Sequence, residues 1–109
     1  MAYDEGLAEI MQGDLEGVPG IKARRMFGGL CWMLDGNMLC GVHAGGAMFR
    51  VGKVREEAAL SVEGAAPMAF TGRPMGGMVD ADPGLMADDA RRGRLMALAL
   101  ENARGLPPK

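Results

Sequence analysis

The chain is poor in the residues that most often carry chemistry. Its 109 residues include one histidine, two cysteines, one tryptophan and one tyrosine. Cys31, Cys40 and His43 fall one short of the four ligands a structural zinc site usually takes. They are read as two small buried apolar residues and a turn histidine. A nucleophilic pair of Cys40 and His43 lacks an evident orienting acid or oxyanion hole. No serine elbow, metalloprotease helix, phosphate loop or dinucleotide fingerprint occurs. The segment Gly41–Gly46 is rich in glycine but lacks the lysine and hydroxyl residue that phosphate cradling needs. No catalytic residue, metal ligand or cofactor is therefore nominated, and the expectation is a protein that is not an enzyme. No apolar run approaches the roughly 18 residues of a membrane helix. The acidic start, Met1-Ala2-Tyr3-Asp4-Glu5, does not read as a signal peptide. A cytoplasmic location with reduced cysteines is the resulting expectation.

Charge is nearly balanced overall, at −2, but it is distributed in blocks. Residues 1–20 carry five acids and no base, and residues 21–55 carry six bases and one acid. Residues 56–90 carry seven acids and one base, and residues 91–109 carry five bases and one acid. A weakly acidic whole argues against tight non-specific binding to nucleic acid, which scales with neutralised phosphates. Two readings of the blocks stay open: acidic and basic blocks pair within the fold, or residues 21–55 form a local basic face.

Periodicity supplies the elements. Leu7, Ile10, Met11 and Leu15 share one face of a helix over residues 3–17. Lys22–Phe27 reads as a strand stopped by Gly28-Gly29. Asp35-Gly36 between the apolar runs Leu30–Leu34 and Met38–Val42 is a hairpin signal. A two-residue loop there pairs Leu34 with Asn37, Trp32 with Leu39 and Cys31 with Cys40. A further strand covers Ala47–Val51. Val54–Leu60 reads as a short helix, and Pro67–Phe70 and Met75–Asp80 as a second strand pair. Asp82-Pro83 starts a last helix, which either runs on from there or restarts near Asp88, and Gly105 stops it. Gly93 inside that helix points to a close contact with the sheet. The order α-β-β-β-β-α-β-β-α makes an α+β protein with a mainly antiparallel sheet and flanking helices. Strands apolar on both sides imply that helices or a partner subunit cover both faces.

Several segments together resemble one family. They are Met26-Phe27-Gly28-Gly29, the Asp35-Gly36-x-Met38 hairpin, and Arg50 at a strand end. They continue with Pro67-Met68-x-Phe70, Gly72-Arg73-Pro74-Met75 and Leu106-Pro107-Pro108-Lys109. Their order and spacing resemble the TfoX N-terminal domain family of bacterial competence regulators, over a single domain spanning 1–109. The resemblance implies a sandwich like that of secretion chaperones and a regulatory, protein-binding role near transcription. It differs at Leu39, where the family often has an aromatic residue.

The candidate partner-binding residues are Arg24, Arg25, Phe27, Arg50, Arg73 and Met75. Arginine offers a fixed fork of donors for phosphate or carboxylate. The competing reading pairs these arginines with nearby acids. Of the eleven methionines, Met75 and Met78 are the ones expected at an exposed interface. The expected partner is a protein. Contact with nucleic acid is expected only indirectly, and none with a membrane. A second copy of the chain is a further candidate, because helices of this number cover one sheet face well and the other only in part. The alternative is a monomer with the 54–60 helix over the second face. A small-ligand or metal-binding domain, or an enzyme of unrecognised type, is the alternative function.

Overall fold

The N-terminal segment is helical because Asp4 caps it, accepting from the backbone N–H of Gly6 at 2.7 Å and of Leu7 at 3.3 Å. This helix, α1, runs Glu5–Asp14. The structure, a computed structural model, describes residues 3–26, 28–70 and 73–108, with the side chains of 69, 70 and 73–75 excepted. From α1, Leu7, Ala8, Met11 and the following Leu15 turn inward to the core. Six antiparallel strands follow: β1 Ile21–Met26, β2 Gly29–Leu34, β3 Asn37–His43, β4 Gly46–Arg50, β5 Ala65–Phe70 and β6 Arg73–Ala81. They form one sheet in the order β1-β2-β3-β4-β6-β5. A 3₁₀ turn at Lys53–Arg55 leads into α2 (Glu56–Leu60), and α3 (Pro83–Met86) and α4 (Asp89–Arg104) close the chain. The expected element order holds. Of the two readings of the last helix, the restart is the one observed: Asp82 caps α3 and Asp88 caps α4.

All four helices lie on one face of the sheet. Their buried residues, among them Met11, Leu15, Ala59, Leu85, Leu95 and Ala99, form a single cluster with Trp32, Leu39, Val42, Phe49 and Val79. Polar contacts fix the docking. The Trp32 indole donates to Gln12 Oε1 at 2.8 Å and ties α1 to β2. Arg92 donates to Asp14 at 2.6 Å, to the Met86 carbonyl at 2.8 Å and pairs with Asp89, so it holds α1, α3 and α4 together. Asn37, buried at the hairpin, donates to the Pro107 carbonyl. Gly77, at φ +84°, donates to Glu56 Oε1 and accepts from Val51 and Gly52. A Cβ there would stand 3.2 Å from Gly52 Cα and Lys53 N, so both the backbone conformation and the close approach favour glycine.

The β2–β3 hairpin has the expected two-residue loop. Leu34 pairs with Asn37, and Asp35 and Gly36 both take positive φ, as a type I′ turn requires. The rest of the expected register is wrong. Trp32 pairs with Cys40 rather than Leu39, and Cys31 with Gly41 rather than Cys40. A β-bulge inserts Leu39 as an extra residue of β3. Loop length fixes register only as far as the first irregularity. Leu39 and Cys40 both enter the helix-covered core, although neighbours in a regular strand face opposite ways.

Gly93 is a second correction. A Cβ built there meets nothing within 4 Å, so it is a surface position and not a contact with the sheet.

Two variants test this packing. Leu39→Ala, which empties a fully buried site, is expected to cost about 2–5 kcal/mol in urea unfolding. A loss below 1 kcal/mol would show that Leu39 is not a core residue. Gly93→Ala is expected to stabilise by roughly 1 kcal/mol, because alanine is the better helix former and the site is open. The same titration reads it.

Candidate interaction face

Directly paired strand residues share a face, so the ladder lists what lies on the side away from the helices. One row there runs Arg24, Cys31, Gly41, Met48, Asp80 and Ala66. Beside it Lys22 pairs with Met33, Met33 with Met38, and Arg50 with Met78. Cys31, Met48 and Met78 are buried in a cluster of their own, with Met26, Met33, Met38 and Met68 packed against them half-buried. No helix residue belongs to this cluster. The second face of the sheet is thus floored by sulfur side chains, and α2, which the alternative monomer reading laid over it, packs on the other side through Ala59.

Two bases of the C-terminal block are used internally: Arg91 pairs with Asp88 and Glu63, and Arg92 with Asp14 and Asp89. Arg55 pairs with Glu101. Lys22, Arg24 and Arg50 have no carboxylate partner among the described residues. The one acid on the face among the described residues, Asp80, is engaged by His43, with Nε2 to Oδ1 at 2.5 Å. His43 Nδ1 accepts the Gly45 N–H at 3.0 Å, which leaves the ring proton on Nε2, facing Asp80. Both ring nitrogens are therefore occupied. Cys40 points into the helix-covered core while His43 lies on the other face, so the two do not meet as a dyad or as a ligand pair. Among the described residues no group of three or more His, Cys, Asp or Glu could hold a metal ion.

The candidate residues fall apart into separate places. Arg24 and Arg50 lie on the sulfur face. Arg25 pairs with Leu30 and lies on the opposite side. Arg73 begins β6 opposite Phe70, and its side chain and that of Met75 lie outside the described residues, as does Phe27. Arg24 and Arg50 stand three strands apart, roughly 14 Å at the usual strand spacing. That separation is too wide for one phosphate. Met78, expected to be exposed, is buried in the cluster.

A groove of about 380 Å³ lies between α1 and β2, lined by Tyr3, Glu5, Glu9, Gln12, Leu30 and Trp32 among others. Its floor is apolar and its rim acidic, and its indole N–H is already taken by Gln12.

The model of the TfoX N-terminal domain matches residues 14–103. The chain belongs to the TfoX N-terminal domain family. No curated protein and no solved structure is significantly similar to it. No helix of the described TfoX N-terminal domain is long and apolar enough to cross a membrane.

Lys22, Met33, Met38 and Met48 were not among the residues singled out from the sequence. Their signal is a period of two. In Cys31-Trp32-Met33-Leu34 the sulfur residues alternate with Trp32 and Leu34, and Met48 stands between Ala47 and Phe49. On β2 of this TfoX domain the sulfur residues Cys31 and Met33 lie on the face away from the helices, while Trp32 and Leu34 enter the core.

Burial pushes the Cys31 thiol up, and the Cys40 thiol further. Since thiolate is the reactive form, both are expected to resist a thiol reagent in the native state through mildly alkaline pH. Cys40, enclosed by helices, should react only on unfolding, and Cys31 sooner. Mass-spectrometric labelling rates check the order; fast native labelling of Cys40 would contradict its placement.

Proposed function

We propose that this TfoX N-terminal domain is a non-enzymatic protein-interaction module that docks its partner on the sulfur face. The observation that carries the reading is Arg50. Basic residues on an edge strand such as β1 are commonly there to block sheet extension. Arg50 is on β4, inside the sheet, half-buried, beside a buried methionine and without a carboxylate among the described residues. Edge protection does not account for it. Methionine supports the same reading, because its flexible, polarisable chain repacks against varied partners. The regulatory setting is the one the family resemblance implies, in bacterial competence and transcription, with nucleic acid contacted through the partner. A cytoplasmic location fits that setting.

The alternative, a small-ligand domain, has the groove beside Trp32 in its favour. The groove lies within the usual size range of ligand sites, about 300–1,000 Å³. Its indole N–H is taken by Gln12 and its carboxylates are acceptors only, and the sulfur face is favoured over it.

The test places charge on the half-buried part of the face. Met33→Glu with Met38→Glu, shown to be folded by circular dichroism and a melt, is compared with wild type in quantitative capture from the native cell. The specific partner should fall by more than about tenfold, a loss of about 1.4 kcal/mol. An unchanged captured set from a folded variant sinks the proposal.

A further inference from the structure

The interaction reading leaves the chemistry of the partner open, and the geometry of the face narrows it. We infer that the occupant is an amphipathic helix with an apolar stripe flanked by acidic residues on both sides. The inference rests on the sulfur face being the docking site.

Three features lead there. First, the floor is apolar: Met33, Met38 and Met48 with Cys31 beneath them. A segment laid across such a floor loses water from its backbone and has to satisfy its own N–H and C=O groups. An extended peptide on a sheet face does not do this; a helix does. Second, the bases stand in two columns. Lys22 and Arg24 are on β1, and Arg50 is on β4, with β2 and β3 between. Three strand spacings make roughly 14 Å. A helix is about 10–12 Å across with its side chains, so one helix running along β2 and β3 fills the space between the columns. The six residues of β2 span roughly 20 Å, which about 13 helical residues match. Third, Gly41 lies at the centre of the floor. A Cβ there would meet Met48 Cε at 2.8 Å and Cys31 Sγ at 3.0 Å, so the sulfur side chains close over it and the strand adds no bulk of its own.

Charge then decides the flanks. Among the described residues the only acid on the face is Asp80, and His43 occupies it. The open charges are positive, so the matching helix carries Asp or Glu on both sides of its stripe. A second copy of this chain is a poor occupant. Face-to-face stacking opposes Lys22, Arg24 and Arg50 with the same residues. The acidic helix α1 has its own apolar side buried through Met11 and Leu15.

The test uses the full chain and two labelled synthetic helical peptides of 14 residues. Both have leucine at i, i+3, i+4 and i+7 spacing. One has glutamate on the flanks and the other lysine. Fluorescence anisotropy should show the glutamate peptide binding at least about tenfold tighter than the lysine peptide, with affinity falling as salt rises. The triple variant K22E/R24E/R50E should reverse the preference. If it does not fold, Arg50→Glu alone should narrow the difference. Equal binding of both peptides, or a preference for lysine, overturns the inference. So does failure of both peptides to bind while the Met33/Met38-dependent partner is still captured; that result leaves the interaction reading standing. A dimer in sedimentation that the charge reversals disrupt also overturns it and assigns the face to a second copy.

Discussion

The placement of the side chains of β3 beyond Leu39, and through it the character of both sheet faces, depends on one extra residue. Met33 and Met38 set the alternation from the hairpin loop, and Met38 faces away from the helices. Continued without interruption, that alternation would put Gly41 in the core and Val42 outside. The bulge at Leu39 reverses the phase. Val42 enters the core, Gly41 joins the sulfur face, and His43 comes within reach of Asp80. A one-residue slip exchanges the faces of a strand, and here the slip is built in. It also gives the core two consecutive residues, Leu39 and Cys40, where a regular strand would supply one. The bulge therefore adds apolar volume beneath α1 and α4 and sets Gly41 between Cys31 and Met48 on the other side.

The helices can all stand on one face because their polar contacts reach across long stretches of chain. Arg92 and Asp14 are 78 residues apart, Asn37 and Pro107 are 70 apart, and Trp32 and Gln12 are 20 apart. Breaking one partner of such a part-buried pair leaves the other desolvated and unmet, which costs more than the contact itself contributes. These same contacts use up charge. Arg91 and Arg92 are matched by acids from the first and third charge blocks, so those blocks do pair within the fold. In the basic block of residues 21–55, Arg55 pairs with Glu101, and Lys22, Arg24 and Arg50 have no carboxylate partner among the described residues. The pairing of blocks thus holds for Arg91 and Arg92, while residues 21–55 do not gather on one face, since Arg25 lies opposite Arg24.

Much of the fold was legible in the sequence because local rules agree with the tertiary structure. Asp82 and Asp88 cap helices, Asp35-Gly36 turns a hairpin, and the period of two or 3.6 separates strand from helix. What was not legible is non-local. The bulge at Leu39 answers to packing beneath the helices, which no feature of the hairpin announces. Gly93 was read as a contact because glycine is costly in a helix, but the cost is simply borne at the surface. The arginines were read as one group because they share a sequence flavour, and strand order separates them. The sulfur face was readable in part, since the Cys31-Trp32-Met33-Leu34 alternation sorts sulfur from carbon. Recognising it needed the knowledge that all the helices lie on the other side.

The choice of methionine for that face has a physical logic that isoleucine or valine would not satisfy. Branched residues on an open sheet make a flat, stiff surface, which favours sheet-to-sheet stacking and aggregation. Methionine is unbranched and folds down over its neighbours, which is why Cys31 and Met48 are buried without any helix above them. The isolated protein thereby hides part of its apolar surface and keeps the freedom to release it when something docks. The bases divide the remaining work. Lys22, Arg24 and Arg25 guard the β1 edge against strand addition, whatever else they do. Arg50 has no such duty, and a half-buried guanidinium inside a sheet costs desolvation that nothing described in this chain offsets. In the proposed docking, the acidic flank of the partner supplies the carboxylate that Arg50 lacks among the described residues, and the methionines beside it supply the adaptable apolar floor.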